Sequence, residues 1–128
     1  MDKTSSIAVQ MKEILGEYSE EVSKTVDMAA QEAAEATVQQ LKRTSPRRVR
    51  GKKRGRYARG WTFRKEGVRS YVVFNKTDWQ LTHLLENGHD ILRGGKFVKH
   101  FEGIPHIADA ERNGSNEFYI RVSQGLGK

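Results

Sequence analysis

From Ile7 onward the apolar positions recur at steps of three and four. They run Ile7, Met11, Ile14, Tyr18, Val22, Thr25 or Val26, Ala29, Ala33, Ala36, then Val38 and Leu41. That spacing keeps one stripe of a 3.6-residue helix apolar. Glu13, Glu17, Glu20, Glu21, Lys24, Asp27, Glu32 and Glu35 fall largely off it. Thr4, Ser5 or Ser6 can cap the start, and residues 28–36 are rich in the strong helix formers Ala and Glu. Gly16 is the weak point, costing about 1 kcal/mol relative to Ala. Ser45-Pro46 ends the run, since the residue before proline avoids helical backbone. The pattern predicts a helix over residues 6–43. At 1.5 Å per residue it would be roughly 55 Å long, so its first part is expected to protrude or to break near Gly16.

The period then changes. Residues 60–65 (GWTFRK) alternate apolar with polar, and residues 70–75 (SYVVFN) are β-branched and aromatic. With a turn at residues 66–69 they predict an antiparallel hairpin. Residues 78–86 (DWQLTHLLE) return to helical spacing, with Trp79, Thr82 and Leu85 on one line, and Asn87-Gly88 suits a C-terminal cap. Residues 88–104, rich in Gly and basic groups, read as a second loop. Pro105 fits the first turn of a short helix through Arg112, which Asn113-Gly114 interrupts. Residues 117–122 then look strand-like. The expected fold class is α+β: a long N-terminal helix packed on a small antiparallel sheet, with short helices and a long basic loop. The chain of 128 residues suits a single domain with one modest core. It divides into the helix at 6–43, a flexible basic arm at 44–59, and the sheet with short helices at 60–122.

Charge changes this picture most. Residues 43–59 read RTSPRRVRGKKRGRYAR, in which nine of seventeen side chains are Lys or Arg and none is acidic. So dense a like-charge run repels itself and resists burial, and Pro46, Gly51 and Gly55 break helix and strand alike. It reads as a solvated arm that makes sense opposite a polyanion or an acidic protein surface. Arg47, Arg48, Arg50, Lys52, Lys53, Arg54, Arg56 and Arg59 are the candidate contact residues. Such cations can bind phosphates without reading bases. Tyr57 and Trp61 could add stacking, although Trp61 suits the core better. The net charge of +7 hides a polarity: residues 1–41 carry three Lys against eight Asp and Glu, and residues 42–69 carry thirteen basic groups against Glu66 alone. The basic part of one copy could therefore meet the acidic part of the next in a head-to-tail ring.

Other chemistry is sparse. With no cysteine, disulfide scaffolds, thiolate metal sites and cysteine nucleophiles are excluded. No apolar run approaches the ~18 residues of a membrane span, and the first residues lack a signal peptide's apolar block, so a soluble cytosolic chain is expected. His83, His89, His100 and His106 lie near Glu86, Asp90 and Glu102, but their spacing matches no tight zinc pattern. A small nuclease would need a general base beside a phosphate clamp, and no compact constellation supplies one. Gly51, Gly55 and Gly60 lack both the GxxxxGK[ST] and the GxGxxG contexts of phosphate-cradling loops. No catalytic residue, metal ligand or cofactor is assigned.

The order of elements resembles the head–tail joining or tail-completion proteins of long-tailed bacteriophages, over roughly residues 20–112. In that family a Ser/Thr-Pro step, then a short Thr-Gly segment, opens the first strand. Here Thr44-Ser45-Pro46 and, beyond the arm, Gly55-Arg56-Tyr57-Ala58-Arg59-Gly60-Trp61 stand in those places. A Leu-Glu-x-Gly element corresponds to Leu84-Leu85-Glu86-Asn87-Gly88-His89, and a Pro-His step to Ile104-Pro105-His106-Ile107-Ala108-Asp109-Ala110. The chain departs from the family in its longer Arg- and Lys-rich insert and in a C-terminal helix that reads as short. The resemblance implies a core of Trp61, Phe63, Tyr71, Val73, Trp79, Leu81 and Leu85 beneath the long helix. It implies no catalysis. It implies a virion structural protein at the head–tail junction, assembled in the host cytoplasm into a ring or collar with other head–tail interface or tail proteins. Sequence-independent contact with double-stranded DNA in the channel would fit, and a membrane partner would not. The alternative is a nucleic-acid-binding module or small toxin-like nuclease using the arm.

Overall fold

A computed structural model describes the backbone of residues 6–10 together with residues 20–47, 51 and 54–127. The long helix is α1, Glu20–Thr44. Its buried side chains are Val26, Ala29, Ala30, Ala33, Ala34, Thr37, Val38 and Leu41; Val26, Ala29, Ala33, Val38 and Leu41 follow the predicted spacing, while Ala30, Ala34 and Thr37 widen the stripe and Val22 and Ala36 are only half-buried. Small residues dominate it, so neighbouring elements approach the helix closely. Glu20 and Glu21 in the first turn and Lys42 and Arg43 in the last complement the helix dipole. Ser45 N–H closes the end on the Leu41 carbonyl at 3.0 Å.

The helix does not begin at residue 6. Ser6–Gln10 is a strand, β1, and residues 11–19 lie outside the described set. The β-branched Ile7 and Val9 alternate, so the segment fits a pleat as well as a helical stripe. An open sheet edge decides between the two. β2 (Trp61–Lys65) and β3 (Ser70–Asn75) form the expected antiparallel hairpin, and β1 adds to the far side of β3 in the order β1-β3-β2. Ile7 and Phe63 both stand opposite Val73.

The α1 stripe packs on this sheet. Ala30, Ala34, Val38 and Leu41 join Tyr57, Trp61, Tyr71, Val73 and Ala110 in one buried cluster, with Phe63 and Leu85 packed against it. Trp79 and Leu81, expected in the core, are exposed. Trp79–Leu81 forms a 3-10 turn at the surface before α3, Thr82–Asn87, and of this stretch Thr82 is buried and the expected Leu85 packs against the core.

Two further corrections fall in the C-terminal third. The expected loop at 88–104 is a hairpin, β4 (His89–Arg93) and β5 (Lys96–Phe101). Gly94 and Gly95 have φ of 59° and 78°, the pair of positive angles that a type I′ two-residue hairpin turn demands. The expected strand at 117–122 belongs to helix α4, Ile107–Gly125. Asn113-Gly114 does not end that helix, because Gly114 is where α4 crosses α1. A Cβ on Gly114 would lie 2.2 Å from Thr37 Oγ1, and one on Gly125 would lie 2.4 Å from Thr25 Cγ2. The two helices run antiparallel between these contacts, joined by Arg121 to Glu32 at 3.1 Å and Asn113 to Gln40 at 3.0 Å. No helix among the described residues is long and apolar enough to cross a membrane.

Candidate functional site

The basic segment is fixed at both ends. At its start, Trp61 Nε1 donates to Ser45 Oγ at 2.8 Å, and Arg47 Nη2 donates to the Lys42 carbonyl at 2.5 Å. At its end the chain re-enters the fold earlier than the arm reading implies. Gly55 turns at φ 71°, and Arg56–Arg59 forms a short helix, α2, with Tyr57 and Ala58 buried. Arg56 makes a two-pronged ion pair with Asp78, Nε to Oδ2 at 3.1 Å and Nη2 to Oδ1. The hydrogen bond to Asp78 holds the Arg56 guanidinium above its ordinary pKa. Asn75 secures the same corner. Its Nδ2 donates to the Tyr57 carbonyl at 2.7 Å, and its Oδ1 accepts from the backbone N–H groups of Thr77 and Asp78 at 3.2 and 2.8 Å.

The eight candidate cations are thus unequal. Arg56 is tied to Asp78. Arg47, Arg54 and Arg59 are exposed, with Arg59 Nη1 donating to the Arg54 carbonyl at 2.8 Å. Arg48, Arg50, Lys52 and Lys53 lie outside the described residues. An open cleft of about 800 Å³ runs beside the two anchors, between Arg47 and Tyr57 on one wall and Leu81, Phe101 and Ile104 on the other.

Beneath the anchors lies a buried polar network. Tyr57 meets Trp61 edge-on with ring centres 5.6 Å apart, and meets His106 in the same way. His106 Nδ1 faces the Ile104 carbonyl at 2.6 Å and Glu86 Oε1 at 3.0 Å. Two acceptors there place the ring proton on Nδ1, so Nε2 accepts from the Tyr57 hydroxyl at 2.8 Å. Burial, reinforced by the charges of Glu86 and Asp78, pushes the Tyr57 phenol far above its ordinary value, which keeps it a donor.

Glu86, named in the sequence only beside the histidines and in the Leu-Glu-x-Gly element, has a role here that sequence reasoning did not assign to it. It sits near the C-terminus of α3, where its own helix dipole disfavours a carboxylate. That misfit was the available signal. The carboxylate turns instead to the start of α4 and accepts from the N–H groups of His106, Ile107 and Ala108 at 2.6, 2.7 and 3.0 Å. Burial pushes the carboxyl up, but the three backbone bonds outweigh it and hold Glu86 below its ordinary 4.5. A depressed folded pKa means stability that is present above the unfolded value and lost as pH falls through the folded one. Glu86→Gln should therefore cost about 1–3 kcal/mol at pH 7. In thermal melts the gap to the unsubstituted chain should close at pH values below 4.5; a gap that persists there would show that the charge is not what matters.

The three segments singled out in the sequence meet at this point. Ser45 holds Trp61, Tyr57 holds His106, and Glu86 caps the helix that His106 precedes. No group of three His, Asp or Glu able to hold a metal is found among the described residues. A family model described as "Bacteriophage HK97-gp10, putative tail-component" matches residues 10–88, more than half of the chain. The chain belongs to this phage tail-component family. No curated protein and no solved structure gives a significant match. The family match runs from the end of β1 through α1, the basic segment and the β2-β3 hairpin to Gly88, and so includes Ser45, Tyr57, Trp61 and Glu86. The β4-β5 hairpin and α4 lie beyond it, yet Glu86 ties α4 to the matched part. As a tail component, the chain is a virion protein whose partners are other virion proteins.

Proposed function

We propose that the chain is a non-enzymatic structural protein of the head–tail interface, assembling into a ring or collar that completes the tail or joins it to the head. Family membership supports a structural virion role. The observation that carries the finer reading is the basic segment itself. Both of its ends are fixed to a rigid core, at Ser45 with Trp61 and at Arg56 with Asp78, and between them lies the densest charge of the molecule. A charged loop on a rigid base can reach a neighbouring subunit, or line a channel through which DNA passes, at little cost to its own fold. The buried network around Tyr57, His106 and Glu86 is then a device for holding that base.

The test neutralises the loop and spares its anchors. Arg48, Arg50, Lys52, Lys53, Arg54 and Arg59 are changed to Gln, and Arg47 is kept for the Lys42 carbonyl and Arg56 for Asp78. The purified variant should melt within about 1 kcal/mol of the parent, because the bonds that fix the two ends of the segment are kept and single surface ion pairs are worth no more than that. In the encoding phage it should leave DNA-filled heads and unattached tails in electron micrographs. Normal particle yields would overturn the role of the loop. Cleavage of RNA or DNA by the purified chain, lost on His83→Ala or His89→Ala, would favour a nuclease instead.

A further inference from the structure

The β4-β5 hairpin is an unusual element in so small a fold. A two-stranded hairpin is at best marginal in water without a partner for its apolar side. Here Leu92 pairs across the strands with Phe97, and both side chains are more than 60% exposed, at 61% and 63%. The register shift between Ile91 and Leu92 leaves Val98 as the extra residue, and it too is exposed. The sheet has only these two strands, so each has an open edge among the described residues. An apolar patch with open edges is a docking element or an aggregation hazard.

Charge says what covers it. Arg93, Lys96 and Lys99 surround the patch, and Asp90, the acid of the hairpin's strands, is taken up by His100 at 2.8 Å. The matching surface is the outer stripe of α1 at its N-terminal end. There Glu20 and Glu21 are exposed about two turns before Met28, itself 52% exposed, with Lys24 the cation between them. Within one copy the two surfaces are rooted toward opposite ends of α1. The hairpin is rooted at the other end of α1, where Phe101 shares the cleft with Pro46. The 25 residues of α1 separate the ends by roughly 37 Å at 1.5 Å per residue. A contact between two different patches on identical chains is heterologous and builds rings or open helices.

We propose that the β4-β5 hairpin is the element by which one copy of this chain grips the next. Leu92, Phe97 and Val98 seat against Met28 of the neighbouring copy, and Arg93, Lys96 and Lys99 face its Glu20 and Glu21. This assignment rests on the ring-forming reading above, and names the surfaces that would form the ring.

Sedimentation velocity across protein and salt concentrations tests it. The parent chain should self-associate, less so at high salt. Leu92→Ser with Phe97→Ser should weaken association at least roughly tenfold, the loss of a single hot-spot contact, with an unchanged circular dichroism spectrum because both side chains are exposed. Lys96→Glu with Lys99→Glu should abolish association, and so should Glu20→Lys with Glu21→Lys. Mixing the two charge-reversed chains should restore it. Hairpin variants that associate like the parent would overturn this assignment and leave the ring reading standing. A parent chain that stays monomeric up to its solubility limit would overturn both.

Discussion

Trp61→Ala should cost about 3–5 kcal/mol, the range for deleting a large aromatic from a core. A domain of this size holds a total of only about 5–15 kcal/mol, so most of the margin disappears. The indole is 1% exposed. It packs beneath the α1 stripe and edge-on to Tyr57 and His106. Truncation opens a void too well walled to collapse, because α1, β2 and α4 all border it. It also leaves the Ser45 hydroxyl buried without its donor, an added penalty of about 1–3 kcal/mol if water cannot enter. The loss reaches function by a short path, since Ser45 is where the basic segment leaves the helix. Urea unfolding followed by circular dichroism should show a midpoint shift of the stated size. Trp61→Phe, which keeps most of the volume but loses the Nε1 donor, should cost less than half as much. Equal costs for the two would mean that the hydrogen bond to Ser45, not the packing, carries the contribution.

Gly88→Ala should cost about 3 kcal/mol or more, from two sources that add. Gly88 has φ 87° and ψ 170°, a region that only glycine occupies comfortably, with strain of about 1–3 kcal/mol for any other residue. A Cβ would also lie 2.3 Å from the Phe101 carbonyl oxygen and 2.9 Å from the Glu102 carbonyl carbon. These are backbone atoms, and no rotamer change moves them aside. They are fixed in turn by Ile104 N–H donating to the Leu85 carbonyl at 2.7 Å. The substitution should therefore loosen the root of the β4-β5 hairpin as well as lower the melting temperature. Gly94→Ala makes a useful comparison. Gly94 also has positive φ, but a methyl group added there would meet nothing within 4 Å, so this change should cost about 1 kcal/mol. Similar losses at the two positions would show that conformation alone, not the close approach of the backbone, sets the requirement for glycine.

The fold is legible in the sequence where one period dominates and the partner is local. The α1 stripe and the β2-β3 hairpin carry unmistakable spacing, and Ser45-Pro46 ends the helix where it should. The misreadings share a different cause. Residues 6–10 satisfy both periods, and only the open edge of β3, far away in sequence, chooses the strand. Asn113-Gly114 looks like a terminus because local propensity cannot register that Gly114 faces Thr37. Gly94-Gly95 reads as loop composition, although a glycine pair between two short alternating runs is also a hairpin signal. Leu92, Phe97 and Val98 give no core pattern because they are not in the core. The candidate site is legible as charge but not as geometry. Nothing in the run of cations distinguishes Arg56, which Asp78 holds, from Arg54, which is exposed. The motif residues stand out along the chain, while their mutual contacts emerge only from the fold: Tyr57 with His106, and Glu86 with the first turn of α4.

A structural part of the virion at the junction of head and tail must be found there on finished particles. Gold-labelled antibody against the chain, applied to purified particles of the encoding phage and imaged by electron microscopy, locates it most directly. The expected result is label confined to the neck, at the place where the tail meets the head, on intact particles. Label along the tail tube, at the distal tip or on the capsid shell, or its absence from particles in which the chain is made, would contradict a place at the head–tail junction.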